Sequence, residues 1–235
     1  MEPLSRIPHP QSRIPTLKAA VLASGRGSNL QALIDARGDG RLPVDIVLVA
    51  GDKAQALALR RAEAAGIPTL ALDPSGYASR EAYDADLFAR IAASGAELVV
   101  LAGFMRILDA SVLGAWSGRI INIHPSLLPK YTGLHTHRRV LAAGDDEHGC
   151  SVHFVTAELD GGPVLAQASI PVLRGDTPGT LAERLLAHEH RLLVATVAAI
   201  AAGRFTHGTE GVLHDGDVLQ APLQLHDGEL RAATA

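Results

Sequence analysis

LKAAVLASGRGSN, residues 17–29, starts as a short apolar run and ends in a glycine turn that leads into a helix. Working outward, VDIVLVA at 44–50 is β-branched and nearly continuous in its apolar character. IPTLAL at 67–72 and ELVVLAG at 97–103 repeat the pattern. Continuous apolar strands suit a parallel sheet covered on both faces, because alternation is needed only where one face meets water. Helical stretches separate the runs. Residues 54–65 are rich in Ala, Leu and Arg, all good helix formers. In 79–94, Tyr83, Leu87 and Ile91 recur along one helix face, with Ser79 placed to cap its start and Gly95 to stop it. Strand and helix in alternation predict an α/β fold: a Rossmann-like, mostly parallel central sheet flanked by helices.

The second half changes character. RIINIH at 119–124 reads as a strand stopped by Pro125, followed by the loop LLPKYTGLHTH and a short helix near 137–144. CSVHFVTAEL and PVLAQASIPVL read as two longer strands joined at Asp160-Gly161-Gly162, so this C-terminal part is expected to be antiparallel. A long helix over about 178–203 comes last, with Thr177 at its N-cap, Pro178 in its first turn, and Leu186, Leu193, Val197 and Ile200 as its buried face. One mixed sheet is expected to span a single domain, 17–230. Two halves are expected within it, 17–118 and 119–205. Residues 1–16, with prolines at 3, 8, 10 and 15, are expected to form a flexible extension without the apolar core of a secretory signal. Residues 231–235 are expected to be a frayed tail.

Composition narrows the function. A chain of 235 residues with 47% hydrophobic content can bury a core without covalent staples. Cys150 is the single cysteine, which excludes an intramolecular disulfide and points to a reducing compartment. A net charge of −4 argues against a long polyphosphate partner, and 3% aromatic content against a base-stacking platform, so no nucleic-acid partner is expected. No apolar run is long enough to span a membrane. Small anionic ligands stay open, since one local site suffices for them.

The glycine turn is such a site. Backbone N–H groups at a helix start bind anions, and glycine lets the backbone approach closely. A dinucleotide fingerprint would need a third small residue where Leu30 stands, so Gly27, Ser28 and Asn29 suit one terminal phosphate better than a pyrophosphate. The plainer alternative is a simple turn in which Ser28 or Asn29 caps the helix.

Asn122 and His124, two apart on one strand, point to the same side, while Ile121 and Ile123 take the other. A polar pair at the carboxyl end of an otherwise buried strand faces the crevice where such sheets bind ligands. An amide can donate to a developing oxyanion, and an imidazole can move a proton near neutral pH. Asp160, before two glycines, is the best-placed carboxylate to support an imidazolium. A structural histidine and a hairpin aspartate are the plainer alternatives.

Taken in order, ASGRGSNLQALID, SREAYD, VVLAGFMRIL, INIHPSLLPKY, GLHTH, HGCSVHFVTAELDGGPVLAQ and Glu189-His190 resemble the folate-dependent formyltransferases, from about Lys18 to Gly203. The closest resemblance is to the branch that formylates glycinamide ribonucleotide. It implies transfer of the formyl group of 10-formyltetrahydrofolate to the amine of 5′-phosphoribosylglycinamide, in purine biosynthesis, with no metal. It further implies that Asn122, His124 and Asp160 are catalytic, that Gly27, Ser28, Asn29 and Glu189 hold the nucleotide, and that 17–118 is the nucleotide- and phosphate-binding half and 119–205 the catalytic and folate-binding half. Arg80, Met105, Arg106, Ile107, Leu108 and the stretch Thr156, Ala157, Glu158, Leu159 would line the folate side, and His137 would order a loop beside it. Small-molecule partners, a cytoplasmic location and a homodimer are consistent with that family. The chain departs from the pattern at Thr132, where proline is common, at Gly51-Asp52, and at Leu186, where some members carry a lysine.

Other readings compete. A formyltetrahydrofolate deformylase would share the trio but lacks the phosphate turn. A transferase acting on initiator tRNA would need a further domain. A nicotinamide-dependent oxidoreductase or a nucleotide-binding module fits only the first strand–helix–strand, and Leu30 opposes it. His135-x-His137 and His188-x-His190 could seed a zinc site, but the second pair does not share a helix face.

Overall fold

The computed structural model describes residues 16–208 and 211–232. The expected proline-rich extension, apart from Thr16, and the last residues of the expected tail lie outside them. The first half alternates as read: β1 Leu17–Leu22, α1 Ser28–Gly38, β2 Val44–Gly51, α2 Leu57–Ala64, β3 Thr69–Ala71, α3 Arg80–Ala93 and β4 Leu98–Leu101. Then come α4 Ala110–Ala115, β5 Ile120–His124, α5 Thr136–Ala143, β6 Glu147–Phe154, β7 Val164–Pro171 and α6 Pro178–Ala201. Five short strands close the chain: β8 Phe205–Gly208, β9 Gly211–His214, β10 Asp217–Val218, β11 Leu223–His226 and β12 Glu229–Arg231.

Nine strands form one mixed sheet in the order β12-β11-β7-β6-β5-β4-β1-β2-β3. The pairs from β3 to β5 are parallel, and β6 is antiparallel to both neighbours. β8, β9 and β10 make a separate small antiparallel sheet. From β1 the sheet grows one way through β2 and the other way through β4, so the crevice of a doubly wound sheet opens between the loops that follow β1 and β4.

Alternate residues of β1 feed two cores. Ala19, Val21 and Ala23 join Leu30, Leu33, Leu185, Leu192 and Val197 from α1 and α6 on one face. Ala20 and Leu22 join Tyr83, Leu87, Ile91 and Val112 from α3 and α4 on the other. At about 25 cal/mol per Å² of apolar surface, these two layers are the main stabilising term. The second core takes Ile120 from β5 but nothing from β6 or β7. On that face, loops cover the sheet beyond β5.

Local signals explain most boundaries. Ser79 Oγ accepts from Ala82 N–H at 3.1 Å, and Thr177 forms a capping box with Thr180. Three features differ from the sequence reading. The buried stripe of α6 runs through Leu181, Leu185, Leu192, Leu193, Thr196 and Val197, whereas Leu186 and Ile200 are half-buried. Leu193 and Val197 are buried as read, while of the neighbouring pair it is Leu185, not Leu186, that is buried. The sequence reading placed no strand after α6, yet β11 adds to the sheet edge at β7. β6 stops at Phe154, and residues 155–163 form a loop rather than a tight turn.

Gly162 sets that loop. A Cβ there would lie 1.9 Å from the Phe154 carbonyl oxygen. Gly162→Ala is expected to destabilise the protein by about 1–3 kcal/mol or more, as overpacking does. A lower midpoint in urea with an unchanged slope would establish this, and an unchanged midpoint would refute it. Among the described residues, no helix is long and apolar enough to cross a membrane.

Candidate active site

β5 carries Asn122 and His124 on the face away from Ile121 and Ile123, which pack in the first core. In the pairing with β6, His153 stands opposite Asn122 and Ser151 opposite His124. The loop after β6 folds back and brings Asp160 over this face. Asp160 Oδ2 lies 3.4 Å from His124 Nδ1, and its Oδ1 lies 3.7 Å from His153 Nε2. The same Oδ2 accepts from Gly133 N–H at 2.8 Å, which ties the carboxylate to the loop after β5. Asp160 holds a left-handed backbone, φ 52°, a conformation aspartate adopts more readily than most residues.

The other nitrogen of His124 settles its proton inventory. Nε2 lies 3.0 Å from the Tyr131 carbonyl oxygen, which can only accept, so Nε2 carries hydrogen. Nδ1, beside Asp160, is the nitrogen that gains or loses a proton. His153 is fixed in a complementary way. Its Nδ1 donates to the Phe154 carbonyl at 2.9 Å, leaving Nε2 to accept from Asn122 Nδ2 at 3.2 Å. Burial holds the His153 imidazole below its usual range, which keeps it neutral for this role. One Asn122 N–H is thereby engaged, and the second is left for a ligand oxygen. Sequence reasoning missed His153. Its signal was its place in a strand that would pair with β5, but the register is set only in the sheet.

The loop after β5 is pinned from β6 and β7. Leu128 N–H donates to Ser151 Oγ at 3.0 Å, and Ser151 Oγ donates to the Ser126 carbonyl at 2.7 Å. Gln167 Nε2 donates to the Leu128 carbonyl at 2.9 Å. These bonds place the Tyr131 carbonyl that anchors His124. His137 pairs with the fully buried His148, Nδ1 to Nε2 at 2.9 Å. Burial, followed by the neighbouring imidazole of His137, pushes His148 down to about 4, and burial lowers His137 as well. Folded values below unfolded ones mean that the folded state binds fewer protons. The stability this gives is full above the ordinary histidine range and is lost as pH falls towards the folded values. The melting temperature is expected to drop from about pH 7 to about pH 4, and less steeply in His148→Gln. Coincident slopes would place the acid sensitivity elsewhere.

At the switch point, Gly27 is the N-cap of α1 in a left-handed conformation, and no side chain caps the helix. The alternative in which Ser28 or Asn29 caps the helix is therefore not what forms. Asn29 instead donates from Nδ2 to Glu189 Oε2 of α6 at 3.0 Å, while its own Oδ1 is buried without a partner. Burial raises the Glu189 carboxyl and the Asn29 bond opposes it. Glu189 and the glycine turn are thus brought together across 160 residues. Cys150 is fully buried and its thiol is pushed well up by burial, which suits a packed residue rather than a nucleophile.

The loop after β4 closes the other wall. Ser24 N–H donates to the Gly103 carbonyl and Met105 N–H donates to Ser24 Oγ, both at 3.0 Å, so the loops after β1 and β4 are fastened together. Met105 and Ile107 are 69% and 57% exposed, whereas Leu108 is buried, so Leu108 offers the cleft its backbone alone. Arg106 lies over the Tyr83 ring at 4.5 Å, and its Nε is buried without an acceptor. Arg80 is 4.0 Å from Asp109. On the loops after β5 and β6, Leu134 and Leu159 are 69% and 54% exposed. Thr156 is half-buried, and Ala157 and Glu158 are exposed. Exposed apolar side chains and an unpartnered buried polar atom are features that a partly apolar ligand can use. Among the described residues, no three of His, Cys, Asp and Glu are gathered as a metal would need.

Known proteins share this architecture. The formyl transferase family profile matches residues 17–197. Phosphoribosylglycinamide formyltransferase of Escherichia coli is 47% identical over 86% of this chain and 96% of its own length. The trifunctional purine biosynthetic protein adenosine-3 of Homo sapiens is 40% identical over 83% of this chain, which spans only 19% of that longer protein. The crystal structure of phosphoribosylglycinamide formyltransferase from Coxiella burnetii superposes with a TM-score of 0.83 at 46% identity, covering 86% of this chain and 95% of that one. Glycinamide ribonucleotide transformylase 1 from Symbiobacterium toebii gives 0.82 at 45% identity, covering 85% and 94%. By sequence and by fold, this chain belongs to the formyl transferase family.

Proposed function

We propose that this chain transfers the formyl group of 10-formyltetrahydrofolate to the amine of 5′-phosphoribosylglycinamide, yielding the N-formyl product and tetrahydrofolate in purine biosynthesis. The observation that carries the reading is the convergence of Asn122, His124 and Asp160 on one sheet face, where His124 Nδ1 meets Asp160 Oδ2 at 3.4 Å. The name of a relative at 47% identity, covered over 96% of its own length, supports the same acceptor and the same transferred group.

Attack of the acceptor amine on the formyl carbon turns the carbonyl oxygen into an oxyanion. The free N–H of Asn122 and a proton on His124 Nδ1 stabilise it. Asp160 supports the imidazolium and, through water, takes the proton that the attacking nitrogen releases. His124 Nδ1 returns a proton to the folate nitrogen as the old carbon–nitrogen bond breaks. Gly27, Ser28, Asn29 and Glu189 hold the phosphoribosyl part. Met105, Arg106 and Ile107, the backbone of Leu108, Arg80 and the stretch Thr156, Ala157, Glu158, Leu159 hold the folate. His137 orders the loop through His148. The chain works on small molecules in the cytoplasm, as one domain over residues 17–230, and a homodimer is compatible with the family.

The test is a paired assay with 10-formyltetrahydrofolate, one sample containing glycinamide ribonucleotide and one only buffer. Folate product that depends on the nucleotide supports the transferase. Equal release in both samples makes the protein a hydrolase and turns the trio to water activation. Silence in both means the acceptor is wrong.

A further inference from the structure

We propose that Arg61 is a positioning residue for the acceptor phosphate, holding the glycine turn so that its N–H groups face the anion. This rests on the reading of that turn as the phosphate site. Arg61 sits on α2 and is half-buried. Its Nε donates to the Arg26 carbonyl at 2.9 Å, and its Nη1 donates to Gln31 Oε1 of α1 at 3.0 Å. One turn earlier on α2, Ala58 N–H donates to the Gly25 carbonyl at 3.1 Å.

Two successive carbonyls of the turn are therefore drawn to α2. In a trans peptide the C=O and the N–H of the same unit point in opposite directions. Pinning the carbonyls of Gly25 and Arg26 turns the N–H groups of Arg26 and Gly27 away from α2. Among the described residues, neither of these groups, nor the N–H of Ser28 or Asn29, donates to another group. Four consecutive donors remain for an anion at the start of α1. The packing leaves no slack: a Cβ on Gly27 would lie 2.7 Å from both Cα and Cβ of Ala58.

Arg61 has two further properties that fit the role. Both of its acceptors are neutral amide oxygens, and among the described residues no carboxylate pairs with it, so its charge adds to the positive field at the turn. Its planar fork reaches two elements at once, which a lysine ammonium cannot reproduce in the same geometry. Nothing in the sequence signalled this, because Arg61 lies 35 residues from Arg26.

The experiment compares wild type, Arg61→Met and Arg61→Lys. It measures KM for glycinamide ribonucleotide, KM for the formyl donor, kcat, and the melting-temperature rise caused by ribose 5-phosphate. Arg61→Met is expected to raise the nucleotide KM about tenfold or more, the size of effect a charge-assisted hydrogen bond carries. The donor KM and kcat should stay within about threefold, Arg61→Lys should recover part of the loss, and the ribose 5-phosphate shift should vanish in Arg61→Met. An unchanged nucleotide KM overturns the proposal, as does a parallel rise in both KM values with a lower melting temperature of the free protein. If wild type transfers no formyl group but shows an Arg61-dependent ribose 5-phosphate shift, the assigned reaction fails and this inference stands. If transfer is intact and the nucleotide KM does not move, the reverse holds. Absence of both transfer and shift in wild type overturns both.

Discussion

His124→Ala is expected to lower kcat by about 10²–10⁴-fold, the range for loss of a general acid–base. The geometry makes the loss specific to the chemical step. His124 Nε2 is committed to the Tyr131 carbonyl at 3.0 Å, so the ring is oriented before any substrate arrives and only Nδ1 exchanges its proton. Removing the ring takes away that proton and leaves Asp160, buried beside it, with Gly133 N–H at 2.8 Å as its remaining close donor. KM for both substrates should move little, because the proposed mechanism sets His124 at the reacting centre rather than at the phosphate or pteridine ends. Steady-state kinetics with a melting curve on the same preparation checks this. A fall below tenfold in a folded variant would remove His124 from the reaction.

Asn122→Ala is expected to cost about 10²–10³-fold in kcat, as for other oxyanion donors. The amide is held by the neutral Nε2 of His153 at 3.2 Å, so its free N–H is aimed in advance and needs no reorganisation when charge develops. The variant also leaves His153 Nε2 without a donor, in a residue only 2% exposed, so some loss of stability should accompany the kinetic effect. The two can be separated. Deleting an oxyanion donor lowers kcat and kcat/KM together, whereas general loosening shifts the melting temperature without that pattern. An effect under tenfold on kcat would sink the role of Asn122.

The fold was legible where local physics and tertiary packing agree. The apolar runs at 17–23, 44–50 and 97–103 became β1, β2 and β4, because both faces of the sheet are covered there. α3 and α6 begin where Ser79 and Thr177 cap them. The short strands β8 to β12 escaped notice because two to four residues carry no readable period, and β11 exists by pairing with β7. α4 spans only six residues and starts at the Asp109 cap, too short for a helical stripe to stand out. On α6, Leu193 and Val197 are buried as the pattern predicts, but Leu186 and Ile200 are only half-buried, since Leu185 and Leu186 are equally apolar and only the docking angle chooses between them.

By itself the sequence determined the alternation of β and α elements, the glycine turn at the start of α1, and the polar pair Asn122 and His124 on one side of β5. These depend on residue type and on spacings of one to four positions, which backbone geometry converts directly into direction. Tertiary structure alone decided that Asp160 reaches Nδ1 of His124, that His153 orients Asn122, that Glu189 meets Asn29, and that Arg61 braces the turn. Each of these joins elements that are distant along the chain or aligned by strand register. Such contacts arise from packing and pairing over the whole sheet, and no local pattern encodes them.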